Sequence, residues 1–228
     1  MAVRAVLFDA GNTLLFLDYA RMAAAVGAAV GLPLTGQGLA RGVGAAARSM
    51  EEARANDQER TAAYLEALFL AAGVPPDRLG DVRDTLVRLH LERHLWSGIA
   101  ADTHDALSRL RAAGLRLGVV SNSDGRVEEA LQAAGLRDYF DVIVDSGLAG
   151  VEKPDPAIFR PALERLGVRP EETRYVGDLY EIDVAGAQAA GIPAVLLQPV
   201  GAAPRSDCAT VSTLGTLADD LLKEMLVS

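Results

Sequence analysis

Several residue types are scarce in this sequence, and each scarcity excludes a class of protein. The 228 residues include one cysteine, Cys208, which excludes an internal disulfide framework and fits a reducing compartment. The formal net charge is −9, so we expect neither nucleic acid nor an anionic membrane as a partner. No apolar run reaches the roughly 20 residues of a membrane span, and the segment MAVRAVLFDAG lacks the long apolar core of a secretory leader. We therefore expect a cytoplasmic protein.

Apolar strands alternate with helical patterns in the second half of the chain. Short apolar runs that end in turn signals predict buried strands at residues 5–8, 115–120, 142–144, 174–176 and 194–197. Helical patterns lie between the later strands, at residues 102–113, 126–134, 156–166 and 182–190. This alternation is typical of an α/β protein with a parallel sheet wound by helices.

Residues 17–96 have a different pattern, with no convincing strand and several stretches rich in Ala, Leu and Arg. Alanine and leucine favour helix, so we interpret this segment as an all-helical domain inserted after the first strand. The predicted domains are a core of residues 1–16 and 97–228 and a helical domain of residues 17–96.

Polar side chains follow the predicted strands at the positions where the strands end. The carboxyl ends of parallel strands meet at one edge of a sheet, which is where open α/β sheets bind ligands. The segments VLFDAGNTLL, VVSNSDG, GVEKPDP and YVGDLYEID supply these side chains. The residues expected around one cavity are Asp9, Ser121, Asn122, Lys153, Asp178 and Asp183.

This combination of side chains suits phosphate chemistry. Crowded carboxylates raise one another's pKa unless a cation lies among them. Oxygen ligands suit Mg²⁺, which is commonly held by one or two carboxylates together with phosphate. A cation, an ammonium and a hydroxyl can then surround a phosphoryl group, and an aspartate can attack it to form an aspartyl-phosphate. Each segment alone is compatible with an ordinary turn or helix start, but their conjunction favours the site.

Four segments, in this order, resemble the motifs of the haloacid dehalogenase (HAD) superfamily: FDAGNTL, VVSNSD, VEKPDPAIF and VGDLYEIDVAGAQAAG. The resemblance extends over nearly the whole chain. It implies a Rossmann-like, doubly wound parallel-sheet core with an inserted helical cap. It further implies Mg²⁺ as the cofactor and a small phosphorylated molecule as the substrate, and it sets no expectation about oligomeric state.

The resemblance also implies roles for residues at matching positions. Asp9 is similar to the family's nucleophile, Ser121 would hydrogen-bond a phosphoryl oxygen, and Lys153 would neutralise the phosphate and orient Asp9. Those three form the predicted catalytic set. The predicted phosphate-binding residues are Asn12, Thr13, Ser121, Asn122 and Lys153. The predicted metal ligands are Asp9, the carbonyl of Gly11, Asp178 and the supporting acid Asp183.

Gly11 departs from the pattern of the family's phosphatases, which carry at this position an acid that protonates the leaving oxygen. Three explanations stay open. The first is a phosphatase in which Asn12, a cap residue, the substrate or water takes that role, or whose substrate does not need it. The second is a 2-haloacid dehalogenase, in which Arg41 would receive the halide. The third is a poorly active phosphate- and Mg²⁺-binding or regulatory protein.

The remaining residues favour the first and third explanations over the second. A dehalogenase has no use for the metal-site spacing of Asp178 and Asp183. Phosphonate hydrolysis, another activity of relatives without the second acid, resembles a Schiff-base mechanism that needs a lysine in the cap. No lysine precedes Lys153, so this activity is rejected. Arg41 and Arg48 are the candidate substrate contacts in the helical domain.

Overall fold

A computed structural model describes residues 2–52, 57–198 and 207–227 of the chain. Two compact units make up the chain: Met1–Phe16 with Gly98–Ser228, and Leu17–Ser97. The assignment of these units to a catalytic core and a cap stays a prediction.

Eight strands form two sheets. The strands are β1 (Ala5–Phe8), β2 (Phe16–Leu17), β3 (Trp96–Gly98), β4 (Arg116–Ser121), β5 (Val142–Asp145), β6 (Thr173–Gly177), β7 (Ala194–Leu197) and β8 (Ala209–Val211) among the described residues. Six of them form one sheet in the order β5-β4-β1-β6-β7-β8, and β2 pairs with β3 separately. All neighbours in the large sheet are parallel. The predicted α/β class with a Rossmann-like parallel sheet is confirmed.

Helices connect the strands of the sheet and build the second unit. They are α1 (Tyr19–Val30), α2 (Gly36–Glu52), α3 (Asp57–Ala71), α4 (Leu79–Glu92), α5 (Thr103–Ala112), α6 (Val127–Ala133), α7 (Ser146–Ala149), α8 (Arg160–Leu166), α9 (Ala185–Ala189) and α10 (Leu214–Val227). Short 3₁₀ helices lie at Pro76–Arg78, Arg137–Tyr139, Pro156–Phe159 and Pro170–Glu172, and a π-helical turn lies at Tyr180–Val184. The second unit is helical, as the inserted segment predicts.

Some predicted elements differ from the observed ones. The predicted helix 156–166 is a 3₁₀ turn followed by α8, because Pro161 occupies the first turn of α8 and cannot donate a backbone hydrogen bond. The predicted helix 182–190 begins earlier, with the π-helical turn. The alternation also continues past residue 198, since the short edge strand β8 and α10 complete it.

Each unit has its own hydrophobic core. Every residue of β1 is buried, as expected for a central parallel strand covered on both faces. In the same unit the rings of Phe159 and Tyr175 pack edge to face, with their centroids 5.0 Å apart. In the second unit Met22, Leu68 and Phe69 are fully buried in a separate cluster. The sheet therefore has a rigid centre on which side chains at its edge can be held.

None of the described helices is long and apolar enough to cross a membrane. The cytoplasmic location stays a prediction.

Glu172 caps the 3₁₀ turn that leads into β6. Its Oε2 accepts a hydrogen bond from the backbone N–H of Arg169 at 3.0 Å, and its own carbonyl accepts one from the backbone N–H of Arg4 at 2.8 Å. The backbone hydrogen bond from Arg169, followed by that residue's side chain, lowers the pKa of Glu172 to about 2. The ionised carboxylate therefore stabilises this end of the sheet.

We expect Glu172→Gln to lower the free energy of unfolding at neutral pH. Because the pKa is lower in the folded state than the roughly 4.3 of an unfolded chain, the wild-type advantage should be complete above that value. It should shrink as the pH falls and vanish below about 2. Urea unfolding of the wild type and of Glu172→Gln at several pH values measures this difference in the free energy of unfolding. Glu164→Gln, which alters an exposed glutamate in the same unit, is the control, and an equal pH-dependent loss in that control would contradict the prediction.

Candidate active site

The register of the sheet brings three of the predicted site residues to one edge. Phe8 of β1 pairs with Val119 of β4 and with Val176 of β6. Phe8, Val119 and Val176 thus lie side by side in the sheet. Asp9 is the residue after Phe8, Ser121 is two residues after Val119, and Asp178 is two residues after Val176. Parallel strands present their carboxyl ends together, so the chemistry-bearing side chains converge here as predicted.

Lys153 lies at the centre of the site. Its Nζ donates hydrogen bonds to Asp9 Oδ1 at 2.6 Å, Asp183 Oδ1 at 2.7 Å and the Tyr175 hydroxyl at 2.8 Å. The residue is 2% exposed, which is rare for a lysine unless it is paired. This ammonium joins residues that are far apart in sequence.

Three carboxylates lie near this ammonium, which donates hydrogen bonds to two of them. Oxygens of Asp9, Asp178 and Asp183 all lie within 4.8 Å of one another. Burial raises the pKa of Asp9 to about 6, opposed by the charge of Lys153 and increased further by Asp183. Burial also raises the pKa of Asp178 well above its usual range, and the charges of Asp183 and Asp9 add to the shift.

The pKa of the Lys153 ammonium depends on burial and on the neighbouring carboxylates, which act in opposite directions. Burial alone lowers the pKa of Lys153, but the charges of Asp183 and Asp9 outweigh burial and raise it. Lys153 therefore stays charged, yet it neutralises only one of three carboxylates. An all-oxygen donor set with excess negative charge fits a hard divalent cation.

Asp183 is held in place by the turn after β6. The backbone N–H of Leu179 donates to its Oδ2 at 2.9 Å, while Oδ1 faces Lys153. Gly177 makes this approach possible, because a Cβ on Gly177 would lie 2.3 Å from Asp183 Cγ.

Apart from Lys153, the predicted phosphate-binding residues follow β1 or lie at the end of β4. The Asn122 side chain exchanges two hydrogen bonds with the backbone of Lys153, at 2.8 and 3.0 Å, so it fixes the lysine loop. Ser121 is buried and its Oγ contacts the Asn122 carbonyl at 3.3 Å. The Asn12 side chain lowers the pKa of Asp178, against the larger effect of burial. Thr13 Oγ1 is buried without a hydrogen-bond partner in the described part of the chain.

Sequence reasoning missed the residues that hold the Ser121 loop. Asp145, at the end of β5, accepts hydrogen bonds from the backbone N–H groups of Gly125, Val127 and Gly147 at 2.9–3.0 Å. Ser146 Oγ donates to the Ser123 carbonyl at 3.1 Å and accepts from its N–H at 3.0 Å. The signal was available, because Asp145 follows a predicted strand as directly as Asp9 does and Ser146 is the next residue.

Two further predicted residues belong to the other unit. Arg41 lies on α2 and is exposed, and Arg48 is on the same helix with its side chain outside the described residues. Their role as substrate contacts stays a prediction.

Gathered at the carboxyl ends of a parallel sheet, the carboxylates and the lysine indicate an enzyme of the α/β class. A family profile described as haloacid dehalogenase-like hydrolase matches residues 3–191. The chain belongs to this family of hydrolases.

Curated relatives match part of the chain. A mouse protein named haloacid dehalogenase-like hydrolase domain-containing protein 3 is 38% identical over 60% of this chain and 56% of its own length. A Thermus thermophilus protein named phosphoserine phosphatase is 36% identical over 60% of this chain and 53% of its own length. In both matches this chain spans about half of the relative's length.

Solved structures match nearly the whole chain. A HAD phosphatase from Thermococcus onnurineus aligns over 96% of this chain and 98% of its own, with 26% identity and a TM-score of 0.61. A 2-haloacid dehalogenase from Pseudomonas syringae aligns over 97% and 99%, also with 26% identity and a TM-score of 0.61. The fold is therefore equally similar to enzymes of either activity, and the side chains must distinguish them.

We expect Gly177→Ala to displace Asp183 and so weaken the anchoring of Lys153. Overpacking a buried site costs about 1–3 kcal/mol, and the separation of 2.3 Å from Asp183 Cγ indicates a loss of stability in that range. Urea unfolding measures the loss. Gly80→Ala is the matched control, because a Cβ there meets nothing within 4 Å on the exposed side of α4. Equal stability of the two variants would contradict the role of Gly177.

Proposed function

We propose that this hydrolase is a Mg²⁺-dependent phosphatase that acts on a small phosphorylated metabolite through an aspartyl-phosphate on Asp9. The observation that carries the proposal is the buried Lys153 ammonium, hydrogen-bonded to Asp9 and Asp183 at the edge where Asp178 also lies. The likeness to proteins named phosphatases supports it.

Asp9 is the proposed nucleophile. Lys153 and the backbone N–H of Ala10 both lower the pKa of Asp9 against the effect of burial, and so favour the carboxylate that can attack phosphorus. In the first step a bond forms between an Asp9 oxygen and phosphorus, and the bond to the leaving oxygen breaks with its electron pair. Water then attacks phosphorus, which releases inorganic phosphate and restores Asp9.

The acid cluster is the proposed Mg²⁺ site. Asp9, Asp178 and the carbonyl of Gly11 would hold the ion, and Asp183 would support it. When bound, Mg²⁺ would supply positive charge to the phosphoryl oxygens. Lys153, Ser121, Asn122, Asn12 and Thr13 are the proposed phosphate-binding residues.

Gly11 determines which substrates suit the site. The position offers no side chain to protonate the leaving oxygen, and general-acid catalysis typically contributes about 10²–10⁴-fold in rate. Substrates whose leaving oxygen is already stable as an anion, such as acyl phosphates and aryl phosphates, need this help least. We therefore propose that substrates with good leaving groups are favoured.

A dehalogenase and a binding or regulatory protein are the alternatives to this proposal. The cluster of three carboxylates argues against a dehalogenase, because carbon–halogen displacement at Asp9 has no need of Asp178 and Asp183 as cation ligands. Chloride release from 2-chloropropionate would favour the dehalogenase. Phosphate binding without turnover across a panel of phosphate esters would favour the binding protein.

We expect Asp9→Asn to abolish hydrolysis of p-nitrophenyl phosphate and acetyl phosphate in the presence of Mg²⁺, because an amide cannot form the acyl-phosphate. Initial rates measure the effect, and EDTA should stop the wild-type reaction reversibly. Asp138→Asn, which alters an exposed aspartate of the same unit, should keep full activity. Turnover that persists in Asp9→Asn or in EDTA would refute the mechanism.

We expect Gly11→Asp to increase activity on alkyl phosphates by up to about 10²–10⁴-fold, while acetyl phosphate changes little. Gly11 lies outside the left-handed backbone region that Asn12 adopts with φ 54°, so an L-residue is compatible with the backbone at this position. The measurement is the slope of log(kcat/KM) against the pKa of the leaving group, which should be steep in the wild type and shallower in Gly11→Asp.

Gly11→Asn is the control for this series, because it adds a side chain of equal size that carries no acidic proton. It should keep the steep slope. A slope that is already flat in the wild type would show that another group supplies the proton.

A further inference from the structure

The hydrogen-bonding capacity of Lys153 is fully used within the described residues. An ammonium group has three N–H donors and no acceptor. Two of them bind the carboxylates of Asp9 and Asp183, and the third binds the hydroxyl of Tyr175 at 2.8 Å. Tyr175 is thus the only uncharged partner of this lysine side chain among the residues that the structure describes.

Tyr175 lies in β6 and is fully buried. Its oxygen accepts the Lys153 proton and lies 2.9 Å from the Val120 carbonyl and 3.0 Å from Asp183 Oδ1. A hydroxyl donates one proton and accepts up to two, so it can receive Lys153 while it donates to one of these acceptors. Burial, followed by the charges of Asp183 and Asp9, raises the pKa of Tyr175, which keeps it a donor.

This hydroxyl connects both sides of the nucleophile strand. β1 lies between β4 and β6 in the sheet. Tyr175 comes from β6, whereas Val120 belongs to β4 and immediately precedes Ser121. The hydroxyl therefore ties the lysine to the main chain that leads into the Ser121 loop.

We propose that Tyr175 is a positioning residue, whose hydroxyl fixes the Lys153 ammonium between Asp9 and Asp183. Packing alone does not require this hydroxyl, because the edge-to-face contact with Phe159 involves only the ring. A buried hydroxyl is costly unless it is hydrogen-bonded. Here its partners are Lys153 and Asp183 of the site and the carbonyl of Val120, the residue before Ser121. The effect that loss of this hydroxyl has on the reaction rate rests on the proposed function, whereas its effect on the position of Lys153 does not.

Tyr175→Phe removes the hydroxyl and keeps the ring. The Lys153 ammonium then has two carboxylates for three protons, and its position relative to Asp9 is less restricted. We expect kcat for p-nitrophenyl phosphate to fall about 10-fold or more, as for loss of a hydrogen bond to a charged group. KM should change less than kcat, since a fully buried hydroxyl does not contact substrate.

The scarcity of lysine makes a direct readout possible. The sequence contains two lysines, Lys153 and the exposed Lys223, so protein labelled with ¹⁵Nζ-lysine has two ammonium signals to resolve by NMR. Lys223→Arg assigns them. We expect a slowly exchanging Lys153 signal in the wild type, and a shifted, faster-exchanging one in Tyr175→Phe.

Phe159→Leu is the matched control, because it removes the ring contact and keeps the Tyr175 hydroxyl. It should lower Tm while leaving kcat and the Lys153 signal close to wild type. If Tyr175→Phe does not fold, replacement of tyrosine by 3-fluorotyrosine tests the same contact, because fluorine weakens the phenolic oxygen as an acceptor. That label should shift the Lys153 signal.

The outcomes separate this inference from the proposed function. An unchanged Lys153 signal in Tyr175→Phe, or in the fluorinated protein, would overturn the positioning role. A shifted signal in a protein that hydrolyses no phosphate ester would support that role and refute the phosphatase. A shifted signal with kcat unaltered would also overturn the proposal, because the lysine would then not need to be fixed.

Discussion

The candidate site depends on a single buried ammonium placed among carboxylates. Desolvation of Lys153 would be costly in isolation, but Asp9 and Asp183 offset it through direct hydrogen bonds. The same contacts restrain Asp9, which follows β1, and link it through Lys153 to Asp183 in the turn after β6. Removing either partner would leave a buried charge uncompensated, so this cluster is constrained as a unit rather than residue by residue.

Side chains next to the cluster hydrogen-bond the main chain around it and so fix the positions of its residues. Asn122 binds the backbone of Lys153. Asp145 binds two N–H groups of the segment that follows Ser121 and one N–H group of α7. Gly177 leaves room for Asp183 where any Cβ would collide with it. These supporting contacts connect the ends of β4, β5 and β6, which surround Asp9. Asp9, the proposed nucleophile, is therefore held by Lys153 and by its backbone hydrogen bond to Val176 of β6.

Membership of the hydrolase family and the identity of the reaction are separate questions here. The fold is equally similar to a HAD phosphatase and to a 2-haloacid dehalogenase, with the same identity and TM-score. The side chains distinguish the two reactions. Asp9, Asp178 and Asp183 suit a cation, and Gly11 has no side chain that could protonate a leaving group. Together they favour a phosphatase that relies on its substrate for part of the proton chemistry.

The sequence by itself determined the α/β class and the helical insertion, because apolar runs and helical periodicity are local patterns. It also determined that Asp9, Ser121 and Asp178 would share an edge, since parallel strands align their carboxyl ends. Only the tertiary structure decided that Tyr175 contacts Lys153 and that Asp145 holds the loop after β4. These contacts join residues 22 and 18–20 positions apart through strand order and side-chain direction. The local pattern places Asp145 at the end of a strand, but it does not identify the groups that Asp145 binds.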